Sequence, residues 1–165
     1  MMRRHLAVLL TLGLLPWTHV HAQQNTANTS FRVSARVNAV CDISASNLDF
    51  GVYSAQGASP LQGTTLLRAT CTPNTSYQIG LNEGTSPGAT VTQRKLASAA
   101  ANVLNYQLYS DSARSTVWGN TPGSDTVTGT GTGLAQDHTV FGTIPAAQTV
   151  PSEEYVDTIT VRIYY

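Results

Sequence analysis

Histidine, cysteine and the acidic residues are the side chains of this chain that could do chemistry, and they are few. Four histidines occur among 165 residues, but three of them, His5, His19 and His21, fall within the first 22 residues. A histidine metal cluster is therefore not expected, and Ser-His-Asp catalysis would depend on His138 alone, beside Asp137. Because no G-x-S-x-G motif accompanies it, we interpret His138 as a surface or strand-edge residue.

The carboxylates form no convincing catalytic pair. Glu153 and Glu154 adjoin in a polar stretch, and two carboxylates flanking a glycosidic bond could hydrolyse it, but nothing in the sequence sets a cleft around them. Asp157 falls on one of the inward-facing positions of the last predicted strand, which favours a structural hydrogen-bonding role. We expect no catalytic site, no metal site, no cofactor and no small-molecule substrate. In a small secreted binding module or hydrolase, the residues to substitute would be Asp137, His138 and Asp157.

The first 22 residues have the pattern of an export signal. Arg3 and Arg4 precede an apolar run, Leu6–Leu15, that is too short to span a bilayer. Small or aliphatic residues then lead to Ala22. The pattern predicts a secretory signal peptide over residues 1–22, cleaved after Ala22.

The exported part is near neutral and contains both cysteines. Without Arg3 and Arg4 it has seven basic and nine acidic residues, a net charge of −2, so nucleic acid is not an expected partner. Cys41 and Cys71 would meet an oxidising compartment, which favours a disulfide over two free thiols. Closing a loop of 30 residues should stabilise the fold by about 3.6 kcal/mol on the chain-entropy model.

Apolar and polar residues alternate along most of the exported chain, between turns rich in Gly, Pro, Asn and Ser. This predicts an all-β, antiparallel sandwich with six or seven core strands and one leading strand. A short helical turn is predicted only at Leu96–Ala101. The predicted β segments are Phe31–Val40, Leu48–Tyr53 (a strand or bulge), Thr64–Cys71, Tyr77–Leu81, Leu104–Ser110, Thr126–Thr130, His138–Ile144 and Tyr155–Tyr165.

The first and last of these strands suggest self-assembly. The sequence ends on Ile159–Tyr165, and no later segment is present to pair with that strand. An unpaired apolar strand is an aggregation hazard unless something covers its edge. Phe31–Val37 has the alternation to do so in a neighbouring molecule, although the same alternation also fits a first strand of its own sandwich.

A series of short motifs runs along the exported chain. In order, they are Cys41 after an alternating strand, Phe50-Gly51, Cys71, Tyr106-Gln107-Leu108-Tyr109, Trp118-Gly119, Phe141-Gly142 and Tyr155-Val156-Asp157-Thr158-Ile159-Thr160-Val161. In their order and spacing these motifs resemble the spore coat protein U domain family, which includes the subunits of archaic chaperone–usher pili. Two details depart from the family pattern: Phe141-Gly142 stands for a common Tyr-Gly, and Glu153-Glu154 precede Tyr155 where glycine is usual.

The resemblance implies an immunoglobulin-like sandwich that lacks its final strand and is completed by donor-strand complementation. Residues 23–40 would be the donor-strand segment and residues 41–165 the sandwich domain. The implied donor residues are Phe31, Val33, Ala35 and Val37. The implied groove edge, which is also the chaperone-binding strand, carries Ile159, Val161, Ile163 and Tyr165.

The resemblance also implies partners and a location. The partners would be identical or related pilin subunits, a periplasmic chaperone and an outer-membrane usher. The chain would pass through the periplasm to a pilus on the surface of a Gram-negative bacterium and support adhesion and biofilm formation. The alternatives are a self-complete secreted spore-coat or surface protein, in which Phe31–Val37 pairs within its own chain, and a small secreted binding module, which needs a cleft of converging polar groups.

Overall fold

The computed structural model describes residues 23–165, so the predicted signal peptide lies outside the described residues. The chain divides into a first unit that ends at Arg36 and a second unit, Val37–Tyr165. Within the first unit, residues 23–36 contain no strand, and all of them are exposed. The leading strand predicted over Phe31–Val40 is therefore not formed within this chain, since an extended segment becomes a strand only when another strand takes up its backbone hydrogen bonds.

Eight strands form two sheets in the described part of the chain, and every strand pair is antiparallel. Sheet 1 has the order β1-β2-β7-β5-β4, and sheet 2 has the order β6-β3-β8. The predicted all-β antiparallel sandwich is confirmed. The strands are β1 (Cys41–Ala45), β2 (Leu61–Cys71), β3 (Ser76–Leu81), β4 (Arg94–Ala97), β5 (Val103–Tyr109), β6 (Val127–Thr130), β7 (Ala135–Ile144) and β8 (Val161–Tyr164).

Three predicted elements differ from the structure. The segment Leu96–Ala101 forms no helical turn; instead β4 ends at Ala97, and Ala101 turns the chain at a positive φ of 65°. Leu48–Tyr53 forms no strand; its side chains Leu48 and Phe50 pack on the inner face of sheet 1, whereas Val52 is exposed. The last strand is shorter than predicted, since only Val161–Tyr164 pair with β3. In residues 23–165 no helix is long and apolar enough to cross a membrane.

The core lies between the two sheets and follows from the alternation in the strands. In β2 the residues Leu67, Ala69 and Cys71 point inward and are almost fully buried, while their neighbours are exposed. The indole N–H of Trp118 donates to the carbonyl oxygen of Ile79 at 2.8 Å, which satisfies the polar atom of the largest buried side chain. The inner faces therefore close over a continuous apolar core.

A disulfide joins Cys41 and Cys71, as predicted. The two residues are register partners of β1 and β2, so the bond ties an edge strand of sheet 1 to its neighbour. The two cysteines are 30 positions apart in the sequence, and the loop that their bond closes carries Leu48 and Phe50. The disulfide thus fixes the position of β1 at the edge of the sandwich.

Candidate assembly surface

The outer edge of β8 is open. On its inner side β8 pairs with β3, and Val161 and Ile163 lie opposite Leu81 and Ile79. Among residues 23–165 no strand pairs with the other edge of β8. The carbonyl oxygen of Thr160 accepts the N–H of Asn82 at 3.1 Å, so the even-numbered residues of this strand bond toward β3. By the alternation of an antiparallel pair, the backbone groups of Val161 and Ile163 face the open edge.

The edge strand β1 of sheet 1 faces this open edge. Cα atoms of β1 come within 8 Å of β8, although the two strands belong to different sheets. We call this place, where the sheets meet without a bridging strand, the open seam. Its inner-face residues are Cys41 and Ile43 on β1, and Val161 and Ile163 on β8.

The apolar side chains at the open seam are only partly covered. Ile79 and Leu81 in the middle strand of sheet 2 are 0% and 1% exposed, whereas their β8 partners Ile163 and Val161 are only half-buried. Ile43 is likewise half-buried beside its buried partner Ala69. The difference arises because β1 and β8 are edge strands, with no further strand beside them in residues 23–165. An added strand would therefore bury apolar surface as well as satisfy backbone groups.

The residues predicted to form the groove edge fall into two groups. Ile159, Val161 and Ile163 share one half-buried face of the closing segment, as predicted from parity. Tyr165 lies beyond the end of β8 and is 61% exposed. Their role in holding a donor or chaperone strand stays a prediction.

The predicted donor residues are unusually exposed for apolar side chains. Phe31 is 87% exposed, and Val33, Ala35 and Val37 are exposed as well. Side chains of this size normally find cover, and a row of them in one short segment indicates a surface meant for another partner. Their role as donor residues stays a prediction.

His138 and Asp137 serve separate contacts on opposite faces of β7. The interpretation of His138 as a surface or strand-edge residue was wrong: it lies within β7, points inward and is half-buried. Its Nε2 lies 2.9 Å from the hydroxyl of Tyr77, so the pair links the two sheets. Burial lowers the pKa of His138, which keeps the imidazole neutral, and this effect is only partly opposed by Asp137. Asp137 instead pairs with the guanidinium of Arg68 on the outer face at 2.7 and 3.0 Å.

Asp157 is a hydrogen-bond acceptor for three segments, as its inward parity indicated. It accepts the hydroxyl of Tyr106 at 2.7 Å, the N–H and hydroxyl of Thr85, and the N–H of Thr158. Burial, together with the bond to this carboxylate, raises the pKa of the Tyr106 hydroxyl. In the described part of the chain, no three His, Cys, Asp or Glu residues come together as metal ligands.

A shallow depression of about 550 Å³ lies on the outer face of sheet 2, lined by polar and tyrosine residues. Its lining includes neither Asp137, His138 nor Asp157. Its lining consists of Ser76, Tyr77, Gln78, Thr128, Gly129, Thr130, Tyr164 and Tyr165.

Two features of the structure were not predicted. The first is the strand β1, which forms one wall of the open seam, although the alternation of Cys41, Ile43 and Ala45 with polar residues was a usable signal. The second is the packing of the loop Leu48–Tyr53, in which Leu48 and Phe50 lie over Gly63 and Gly142 on the inner face of sheet 1. No local pattern marks a loop that folds into a core.

The family model described as Spore Coat Protein U domain matches residues 27–162. Protein U of Myxococcus xanthus is 35% identical to the chain, and the match covers 87% of this chain and 88% of that protein.

The chain is also similar to a solved structure, the crystal structure of the CsuC-CsuE chaperone–tip adhesion subunit pre-assembly complex from archaic chaperone-usher Csu pili of Acinetobacter baumannii. The identity is 28%, the TM-score is 0.55, and 78% of this chain is covered. The match spans 40% of that chain, which is therefore much longer than the stretch compared.

Proposed function

Because the chain belongs to the spore coat protein U domain family, we propose that it is a structural subunit of an extracellular pilus assembled by donor-strand exchange. The observation that carries the proposal is the open edge of β8, where the outward-facing backbone groups of Val161 and Ile163 have no strand partner in residues 23–165. An exposed apolar edge of this kind is a template for a further strand from another chain.

The donor is residues 31–37 of a neighbouring copy. Phe31, Val33, Ala35 and Val37 alternate with polar residues, and this period matches the half-buried face of β8. Burying Phe31, Val33 and Val37 at about 1.5–3 kcal/mol each contributes roughly 5–9 kcal/mol before the cost of association. A joint of this strength suits a fibre that is built where no ATP is present.

The proposed pathway uses a periplasmic chaperone and an outer-membrane usher. Support comes from the similarity to a chaperone–subunit complex of Csu pili, which covers 78% of this chain. The chaperone lends a strand to the open edge of β8 in the periplasm, and the next subunit's donor segment replaces it at the usher. The fibre then reaches the cell surface, where it supports adhesion and biofilm formation.

The direct test is an unheated SDS gel of the protein from a periplasmic preparation, beside a variant that lacks residues 23–38. The full chain is expected to give a ladder that collapses to one band on heating, and the truncated variant to give none. Val33→Asn should weaken the ladder because it places an amide on the buried face. Ser30→Asn, a control on the other face and outside residues 31–37, should leave the ladder intact.

Two results would exclude the pilus proposal. If the full and truncated chains are both soluble monomers with equal melting temperatures, residues 23–38 play no part in assembly. If the truncated chain unfolds while the full chain stays monomeric, the segment pairs within its own chain, and the self-complete coat protein or the binding module becomes the better interpretation.

A further inference from the structure

We propose that the donor segment pairs with β8 in one antiparallel register, in which Ser34 of one copy lies opposite Arg162 of the next. This inference rests on the proposed function and specifies the partner residues within the same open seam. The selecting feature is electrostatic: it lies in the positions of Arg32 and Arg36 on the donor and of Arg162 on the acceptor.

Side chains alternate between the two faces of a strand, so only some registers keep the apolar faces of both the donor segment and β8 on the inner side of the sheet. Every strand pair in the described structure is antiparallel, and an antiparallel donor continues sheet 2 in the same manner. The odd-numbered residues of both segments must then lie opposite each other. With Ser34 opposite Arg162, all four donor residues meet the four groove-edge residues as Phe31–Tyr165, Val33–Ile163, Ala35–Val161 and Val37–Ile159.

The charges distinguish this register from its neighbours. Arg162 is exposed on β8, and its register partner on β3 is Gly80, which carries no side chain. If the donor slides by two residues in either direction, Arg32 or Arg36 comes to lie directly opposite Arg162. Like charges directly opposite each other destabilise a strand pair, so both shifted registers are disfavoured.

The hydrogen-bonding pattern of β8 further disfavours the registers that place an arginine opposite Arg162. Because Thr160 bonds toward β3, Arg162 does so as well and forms a non-hydrogen-bonded pair with the donor strand. In such pairs the Cα atoms are only about 4.5 Å apart, and the side chains lie closest together. Ser34 is small and uncharged, so it leaves room there for the guanidinium of Arg162.

The two donor arginines have suitable neighbours in this register. Arg32 lies opposite Tyr164, whose hydroxyl is held by Asn120 at 3.0 Å, and a guanidinium over a tyrosine ring is attracted by it. Arg36 lies opposite Thr160. Both arginines are then diagonal to Arg162, at about 7–8 Å, where their repulsion is weaker than in a direct pair.

The test is disulfide cross-linking between copies with all three arginines kept. Three full-length variants combine Val33→Cys with Val161→Cys, Ile163→Cys or Tyr165→Cys, and Val33→Cys alone is the control for mispairing with Cys41 or Cys71. Samples are oxidised, heated in SDS without reductant and compared with reduced samples. Only the Ile163→Cys combination is expected to give a heat-resistant covalent ladder, since only there do the Cα atoms come within disulfide range.

The outcomes separate the register from the proposed function. An unheated gel of each variant with reductant present reports the assembly itself, and absence of a ladder in the unmodified protein overturns both proposals. If that ladder forms but the covalent ladder appears with Tyr165→Cys, the register is wrong by two residues. A covalent ladder with Val161→Cys also overturns the proposed register, because it indicates either a shift by two residues in the opposite direction or parallel pairing. In both of these results the proposed assembly by donor-strand exchange still stands.

A charge exchange provides an independent readout. Ser34→Arg adds a third arginine to the donor segment and places it directly opposite Arg162. This variant is expected to make the assembled joints dissociate about two- to five-fold faster. Adding Arg162→Glu to the same chain should restore the original rate, because the close pair then has opposite charges. If Arg162→Glu fails to compensate Ser34→Arg, the two residues are not opposite each other and the register is overturned.

Discussion

The guanidinium of Arg94 donates to the carbonyl oxygen of Trp118 at 2.8 Å, across 24 residues of sequence and from β4 to the loop that precedes β6. Arg94 is 0% exposed, and its hydrogen bonds go to carbonyl oxygens and one amide, with none to a carboxylate in residues 23–165. Burial lowers its pKa, and this is partly opposed by nearby negative charge. All five guanidinium N–H groups are used, by the carbonyls of Leu81, Asn82, Val91 and Trp118 and the side-chain oxygen of Gln107.

Replacing Arg94 should destabilise the fold strongly. Arg94→Lys offers three donors from a single point, so at least two of the five acceptors lose their partner, at about 1–3 kcal/mol each. Arg94→Met leaves all five unsatisfied and is expected to cost more than Arg94→Lys. Urea denaturation measures both, with Lys95→Met as the neighbouring control. A loss below about 1 kcal/mol in Arg94→Met would contradict this account.

Gly142→Ala should destabilise the sandwich by overpacking. A Cβ atom at this position would lie 2.7 Å from Leu48 Cδ2 and 2.7 Å from Phe50 Cζ, closer than carbon atoms pack. The expected loss in the free energy of unfolding is about 1–3 kcal/mol. Combining it with Leu48→Ala should cost less than the sum of the two single changes, because the double variant removes one clash. Additive losses in a double-mutant cycle would show that the loop moves aside freely.

Removing the disulfide should lower stability without changing the fold. For a loop of 30 residues the chain-entropy model gives a loss of about 3.6 kcal/mol in the double variant Cys41→Ser, Cys71→Ser. Urea denaturation of that variant should agree with the unmodified protein in the presence of reductant. Equal urea midpoints for the oxidised and reduced protein would contradict the prediction.

Stability should fall below about pH 6.5 through His138. Burial depresses the pKa of the folded imidazole below its ordinary value of 6.5, so the unfolded chain takes up the proton first. The stability linked to the neutral imidazole is fully present above about pH 6.5 and is lost as the pH falls toward the pKa that His138 has in the folded protein. Urea midpoints from about pH 8 to about pH 5 measure this, and His138→Gln should flatten the curve. An unchanged slope in that variant would assign the effect to another group.

The sequence predicted those parts of the fold that depend on local alternation. The inward residues of β2 and the half-buried face of the closing segment at Ile159, Val161 and Ile163 follow from period two. The disulfide was predictable because an exported chain with two cysteines has one pairing available. Asp157 was also flagged correctly by parity, as an acid on an inward position that needs hydrogen-bond donors.

Other residues could not be placed from local pattern. Arg94 and Lys95 are adjacent cations, yet Arg94 is fully buried while Lys95 is only half-buried. The difference arises because most of the carbonyls that receive Arg94 belong to residues 12 to 24 positions away, at Leu81, Asn82 and Trp118. Gly63 and Gly142 are opposite each other only through the pairing of β2 with β7. Their role in receiving Phe50 is invisible until that pairing is known.

By itself, the sequence determined the all-β class, the disulfide and the inward face of β2 and of the closing segment, because these follow from neighbouring residues and from chemistry available to any oxidised cysteine pair. Only the tertiary structure decided that β1 and β8 meet at an open seam and that Val161 and Ile163 direct free backbone groups outward. The order of strands in a sheet depends on contacts between segments far apart in the chain, and the same alternation is compatible with several orders.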